Sequence, residues 1–122
     1  MHSRLLCAAL ASAVFAGCGG SSAASACATP DADVRMTHAA PLIYPQSARD
    51  LGLGAVTVIV GVTVGAQGNI INAAIDRSSN NMAIDQAALH AARRSTYSPK
   101  LENCQATTGD YTFVANFQPP TL

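Results

Sequence analysis

The sequence predicts an α+β fold: a short helix, a β-hairpin, a second helix and a last strand, making a three-stranded antiparallel sheet with helices packed on one face. Three observations carry this prediction. Residues 55–64 place Val at every second position, residues 81–95 space their apolar side chains at threes and fours, and residues 111–118 alternate again with a period of two.

The elements follow in order. Tyr44-Pro45-Gln46-Ser47-Ala48-Arg49-Asp50-Leu51 makes a short helix that starts at Pro45, where a missing N–H costs nothing, and stops at Gly52. Gly54 releases the chain into a strand. That strand carries Val56, Val58, Val60, Val62 and Val64 on one face and Ala55, Thr57, Ile59, Gly61 and Thr63 on the other. Gly65-Ala66-Gln67-Gly68 is a tight connection, and Asn69 to Arg77 resumes with Ile71, Ala73 and Ile75 in alternation, so the two strands form a hairpin. Ser78-Ser79-Asn80-Asn81 ends it. After an Asn N-cap, Ile84, Ala87, Ala88, Ala91 and Ser95 make one helical stripe, with Asp85 near its start and Arg93 and Arg94 near its end, as the helix dipole favours. A stripe made mostly of Ala lets the helix lie close to the sheet, with Leu89 and Met82 filling its margins. Tyr97-Ser98-Pro99 stops the helix and a polar loop carries Cys104. The last strand sets Tyr111, Phe113, Ala115 and Phe117 against Thr112, Val114, Asn116 and Gln118, and Pro119-Pro120 terminates it.

Ahead of these elements, Arg4 precedes Leu5–Ala16, a twelve-residue stretch dominated by Leu and Ala, and small residues follow. This reads as a secretory signal over residues 1–17 and is shorter than the roughly 17–25 residues that a membrane-spanning helix needs. Phe15-Ala16-Gly17-Cys18 resembles the bacterial lipobox, in which cleavage precedes a Cys that is then acylated, although Phe15 stands where an aliphatic residue is usual. The rival is ordinary cleavage after Ala24-Ser25-Ala26. Residues 18–40 are rich in Ser, Ala, Asp, Thr and Pro without apolar periodicity, the composition of a flexible linker, which leaves 41–122 as the domain.

Export fixes the cysteine arithmetic. Cys7 leaves with the signal and Cys18 is acylated or removed, so Cys27 and Cys104 remain as an even pair in an oxidising compartment and are expected to form a disulfide worth roughly 4 kcal/mol. A metal site of Cys27, His38, His90 and Cys104 is the rival; it lacks the short ligand spacings that pre-arrange such sites, so no metal and no cofactor is expected.

Seven basic residues balance seven acidic ones, with no Lys/Arg block, which argues against nucleic-acid binding and against a polybasic membrane patch. Catalysis is disfavoured too. His90 is the one base expected in the folded part, on a helix and off its apolar stripe, where a solvated surface role suits it better than proton transfer. Arg93-Arg94 reads as a dipole-compensating pair and Ser78-Ser79 as turn chemistry, so no catalytic residue is assigned.

The order and punctuation of residues 43–118 resemble the periplasmic C-terminal domain of the TonB family of energy transducers. The resemblance rests on Tyr44-Pro45, Ala48, Gly52 with Gly54, Val56 to Val64, Gly68, Ser78-Ser79-Asn80, Ile84-Asp85-Gln86-Ala87-Ala88-Leu89 and Tyr97-Ser98-Pro99. Three departures stand beside it: the Gly pair is one residue closer than usual, Gly65 replaces a common Asp, and Ile43 precedes Tyr-Pro where several transducers have Gln. The resemblance implies a non-enzymatic periplasmic module whose last strand, Thr112, Phe113, Val114, Ala115, Asn116, Phe117 and Gln118, accepts an extended peptide as an extra strand. The implied peptide is the plug-associated box of an outer-membrane transporter, or a segment of another envelope protein. Full transducers of the family carry an inner-membrane helix and a long Pro-rich spacer ahead of this domain, and this sequence is expected to lack both. The alternative is therefore a non-energised envelope lipoprotein, tethered weakly in favour of the outer membrane because Gly19, not Asp, follows Cys18. Nine residue steps from Cys18 to Cys27 reach roughly 30 Å.

Overall fold

The computed structural model describes residues 27–120. Strand β2, Val56–Val64, is its centre, because the Val alternation gives it one face that water cannot favourably cover: Val58, Val60, Val62 and Val64 are all fully buried. Following β1 (Arg35–His38) and α1 (Gln46–Asp50), β2 leads into β3 (Ile70–Arg77), α2 (Met82–Arg94), β4 (Thr96–Ser98), β5 (Lys100–Glu102), β6 (Gln105–Thr107) and β7 (Gly109–Phe117). The main sheet runs in the order β3-β2-β7 with both pairings antiparallel, and α2 packs on its Val face against β2 and β3. The α+β class, the hairpin, both helices and the last strand are as the sequence predicts.

The helix forms where its cap allows. Asn81 adopts an extended conformation and its side-chain oxygen accepts from the Ile84 N–H at 3.1 Å, satisfying a donor that has no partner within the first turn. Ile84, Ala88, Ala91 and Ala92 face the sheet, and methyl-sized side chains at three of these positions let the backbone approach the Val ridge closely. Leu89 packs at the margin of this core; Met82, the first residue of α2, does not, being 74% exposed. At the other end of the core, α1 contributes fully buried Ala48, and the Tyr44 ring meets Phe117 edge-on with centroids 6.4 Å apart while its hydroxyl donates to the Gly54 carbonyl at 2.7 Å.

Two features differ from expectation. The β2–β3 register breaks between Thr63 and Val64, which pair with Asn72 and Ile70, so Ile71 is an extra residue on its strand. That bulge turns Ile70 inward and leaves Ile71 58% exposed, reversing the face that simple alternation gives it. A second break leaves Asp76 unpaired between Ile75 and Arg77.

The second difference lies in 18–40, which composition assigns to a linker. Within that segment β1 pairs antiparallel with β4, Val34 is buried, Ala32 bridges to Leu101, and the Thr37 and Thr96 hydroxyls meet at 2.8 Å. The polar loop around Cys104 is likewise a hairpin, β5–β6, whose turn residues Asn103 and Cys104 both have positive φ. Cys27 and Cys104 form the expected disulfide, which fastens the start of the described chain to that turn. The segment predicted as a signal sequence, Cys18 and the alternative predicted cleavage site lie outside the described residues.

Candidate functional site

Strand β7 gets its position from its two faces and from the partner β2 offers. Phe113, Ala115 and Phe117 point into the core and are buried, and Tyr111 is half-buried against Tyr97, with ring centroids 5.5 Å apart. Thr112, Val114 and Asn116 point to the opposite, solvated face, with Val114 51% exposed. Gln118 is exposed and lies just past the strand end. The seven residues singled out from the sequence therefore fall on one strand and its exit, but they divide between core and solvent; what they share is the strand's outer edge.

That edge is regular. All nine β2–β7 pairs, from Val56 with Phe117 to Val64 with Gly109, run without a register shift. Cross-strand bonds hold the outer face in this register: Thr57 Oγ1 donates to Asn116 Oδ1 at 2.8 Å and Thr63 Oγ1 to Asp110 Oδ1 at 3.0 Å. Because β7 ends the order β3-β2-β7, its other side presents every second N–H and C=O outward. The opposite edge, β3, is built differently. Its two bulges at Ile71 and Asp76, and the charges of Asp76 and Arg77, are the devices that blunt an edge against strand addition.

The start of β7 is fixed by close packing. A Cβ on Gly109 would lie 2.8 Å from Val34 Cγ2 and 2.9 Å from Lys100 Cβ, so the docked N-terminal segment and β5 meet the strand there and leave Tyr111 to Phe117 as its open length. Over the outer face of the sheet, a shallow depression of about 310 Å³ lies above Gly61, edged by Thr63, Asn72, Asp76, Asp110 and Thr112.

Ser78, Ser79 and Asp85 occupy structural positions. Ser78 Oγ donates to Asp85 Oδ2, while the Ser79 N–H and Oγ reach Asp85 Oδ1 at 2.8 and 2.7 Å, knotting the hairpin exit to the start of α2. Burial pushes the Asp85 carboxyl up, but these three hydrogen bonds outweigh it and hold the carboxyl below its ordinary value. His90 is exposed, with Nε2 3.5 Å from Arg94 Nη1. The Tyr97 hydroxyl, raised in pKa by burial, donates to the Ala92 carbonyl at 2.7 Å and closes the C-terminal end of the helix. Among the described residues no group of three or more His, Cys, Asp or Glu side chains could hold a metal ion.

A hairpin with a Val ridge, a capped Ala-rich helix across it and a last strand left as a regular open edge define a small α+β domain. The chain belongs to the family described as Gram-negative bacterial TonB protein C-terminal, which matches residues 40–119. It is similar to Protein TonB from two strains of Xanthomonas campestris pv. campestris, in each case 31% identical over 85 residues, covering 70% of this chain. The aligned region spans 38% of each relative's length. No helix among the described residues is long and apolar enough to cross a membrane.

Proposed function

We propose that this chain is an exported binding domain that recognises an extended segment of an outer-membrane transporter, or of another envelope protein, by adding it as a strand beside β7. The observation that carries this reading is the contrast between the two edges of one sheet. β7 is nine residues long, unbulged and open, whereas β3 is bulged twice and charged. In strand addition the backbone ladder supplies affinity, and alternate side chains of the incoming strand meet whatever flanks the edge. Thr112, Val114 and Asn116 then flank the peptide on the solvated face, and Phe113, Ala115 and Phe117 hold β7 to the core from the other.

Family membership supports a role in TonB-dependent transmembrane transport with the domain in the periplasm; Cys18 as an acylated tether rests on the lipobox-like Phe15-Ala16-Gly17-Cys18 alone. A second reading, a non-energised accessory lipoprotein, is favoured by one observation: the Cys27–Cys104 disulfide pins Cys27 to the domain. With Cys18 acylated, the tether is nine residue steps, a reach of roughly 30 Å.

A transporter-box peptide titrated into ¹⁵N-labelled protein tests the proposal. Amides from Thr112 to Gln118 are expected to shift first and saturably. Shifts centred on β3, or no shift at all, would reject recruitment of this peptide by β7.

A further inference from the structure

A cleft of about 280 Å³ separates the end of β1 from the last turns of α2, lined by His38, Ala40, Pro41, Ile43, His90 and Arg94. Its composition is unusual for a chain of zero net charge: three of the six side chains are basic or can become so, and none is acidic. His90 and Arg94 are four residues apart on α2, hence on one face of the helix, and β1 brings His38 across to them. Among the described residues the one ion pair joins Lys100 and Glu102, so no described carboxylate pairs with Arg94, whose Nη1 lies 3.5 Å from His90 Nε2.

We propose that this cleft binds a phosphate group, with the Arg94 guanidinium as a charged fork and the His38 and His90 imidazoles as flanking donors. A guanidinium and two imidazoles arriving from two elements match an anion with three free oxygens better than one with two. A divalent metal is excluded from the same place by the fixed charge of Arg94. The negative end of the α2 dipole would oppose an anion, but two of its last carbonyls are already occupied. Ala91 O accepts from the Ser95 N–H and Oγ at 3.0 and 2.8 Å, and Ala92 O accepts from Tyr97. At this volume the cleft falls just below the range of drug-sized ligand pockets, so it takes a single head group. Pro41 and Ile43, the latter 68% exposed, form an apolar rim beside it, which fits a phosphate carried on a lipid as well as free phosphate.

The charged and titratable groups facing the cleft are His38 from β1 and His90 and Arg94 from α2; residues 40–43 contribute none. The test is a titration of the disulfide-intact full chain with inorganic phosphate at pH 7, read by side-chain NMR of His38, His90 and Arg94. A parallel arm measures co-sedimentation with phosphatidylcholine vesicles with and without phosphatidic acid. Expected is saturable binding, weakened about tenfold by Arg94→Gln and unchanged by Arg93→Gln. Arg94-dependent co-sedimentation with phosphatidic acid assigns the phosphate to a lipid head group; phosphate binding without it assigns free phosphate. Absence of saturable binding to either probe, or equal loss in Arg93→Gln and Arg94→Gln, overturns the proposal.

Discussion

Replacing both disulfide cysteines, Cys27→Ser with Cys104→Ser, removes a cross-link between residues 77 apart. The loop-closure relation gives about 15 cal/mol/K of unfolded-chain entropy for a loop of that size, or about 4.5 kcal/mol at 25 °C. The native state offsets part of this. Without the bridge, residues near Cys27 are held by a few contacts only, chiefly Cys104 N–H to Pro30 O at 2.8 Å and Asn103 N–H to Asp31 Oδ1 at 3.0 Å. Fraying there returns chain entropy to the folded state, so the expected loss is about 2–4.5 kcal/mol. For a domain of this size, with an unfolding entropy of about 0.2 kcal/mol/K, that is a fall in Tm of about 10–20 °C. Thermal unfolding followed by circular dichroism with and without reductant measures it, and the double variant should be insensitive to reductant. A fall of less than about 3 °C would refute the reasoning, because the unfolded chain would then gain almost no freedom when the bridge is lost.

Three further outcomes are expected. Asn81→Ala deletes the cap bond to the Ile84 N–H and should cost about 1 kcal/mol in chemical denaturation, with Asn81→Asp or Asn81→Ser restoring most of it. Gly109→Ala drives a methyl against Val34 and Lys100 and should cost about 1–3 kcal/mol, visible as faster hydrogen exchange around Val34 before the main sheet is affected. The Asp85 carboxyl is held below its unfolded value, so its stabilisation is complete above the unfolded pKa of about 3.9 and is lost as pH falls through the lower folded value. Thermal melts of the parent protein against Asp85→Asn should therefore converge at low pH and separate as pH rises past that window; curves that stay parallel would remove Asp85 from the acid response.

How legible each element was depends on whether its burial is local in sequence. β2 announces itself because one face is buried along its whole length, and α2 because cap, stripe and terminal charges agree. β3 was recognisable as a strand but not in its facing, since a single inserted residue at Ile71 inverts the alternation and nothing in the composition marks the bulge. β1 and β4 are four and three residues long and pair across more than fifty positions, so neither has room to show a period. The β5–β6 turn escaped for a different reason: it places Asn103 and Cys104, not glycine, in the left-handed region, and Cys104 is kept there beside its disulfide. For the candidate site, alternation exposed β7 as a strand, but only strand order reveals that it is an edge, and only the register of β3 reveals that the other edge is blunted. The cleft of His38, His90 and Arg94 depends on β1 docking beside α2, a contact between distant segments that no local pattern encodes.

The most direct measurement of the central claim is amide hydrogen exchange along both sheet edges, with and without the transporter-box peptide. Free β7 should show alternating protection from Tyr111 to Phe117, the outward amides exchanging fast, and the peptide should protect those outward amides while leaving β3 unchanged. Protection that appears on β3 instead, or β7 amides that keep exchanging fast at saturating peptide, would contradict the account.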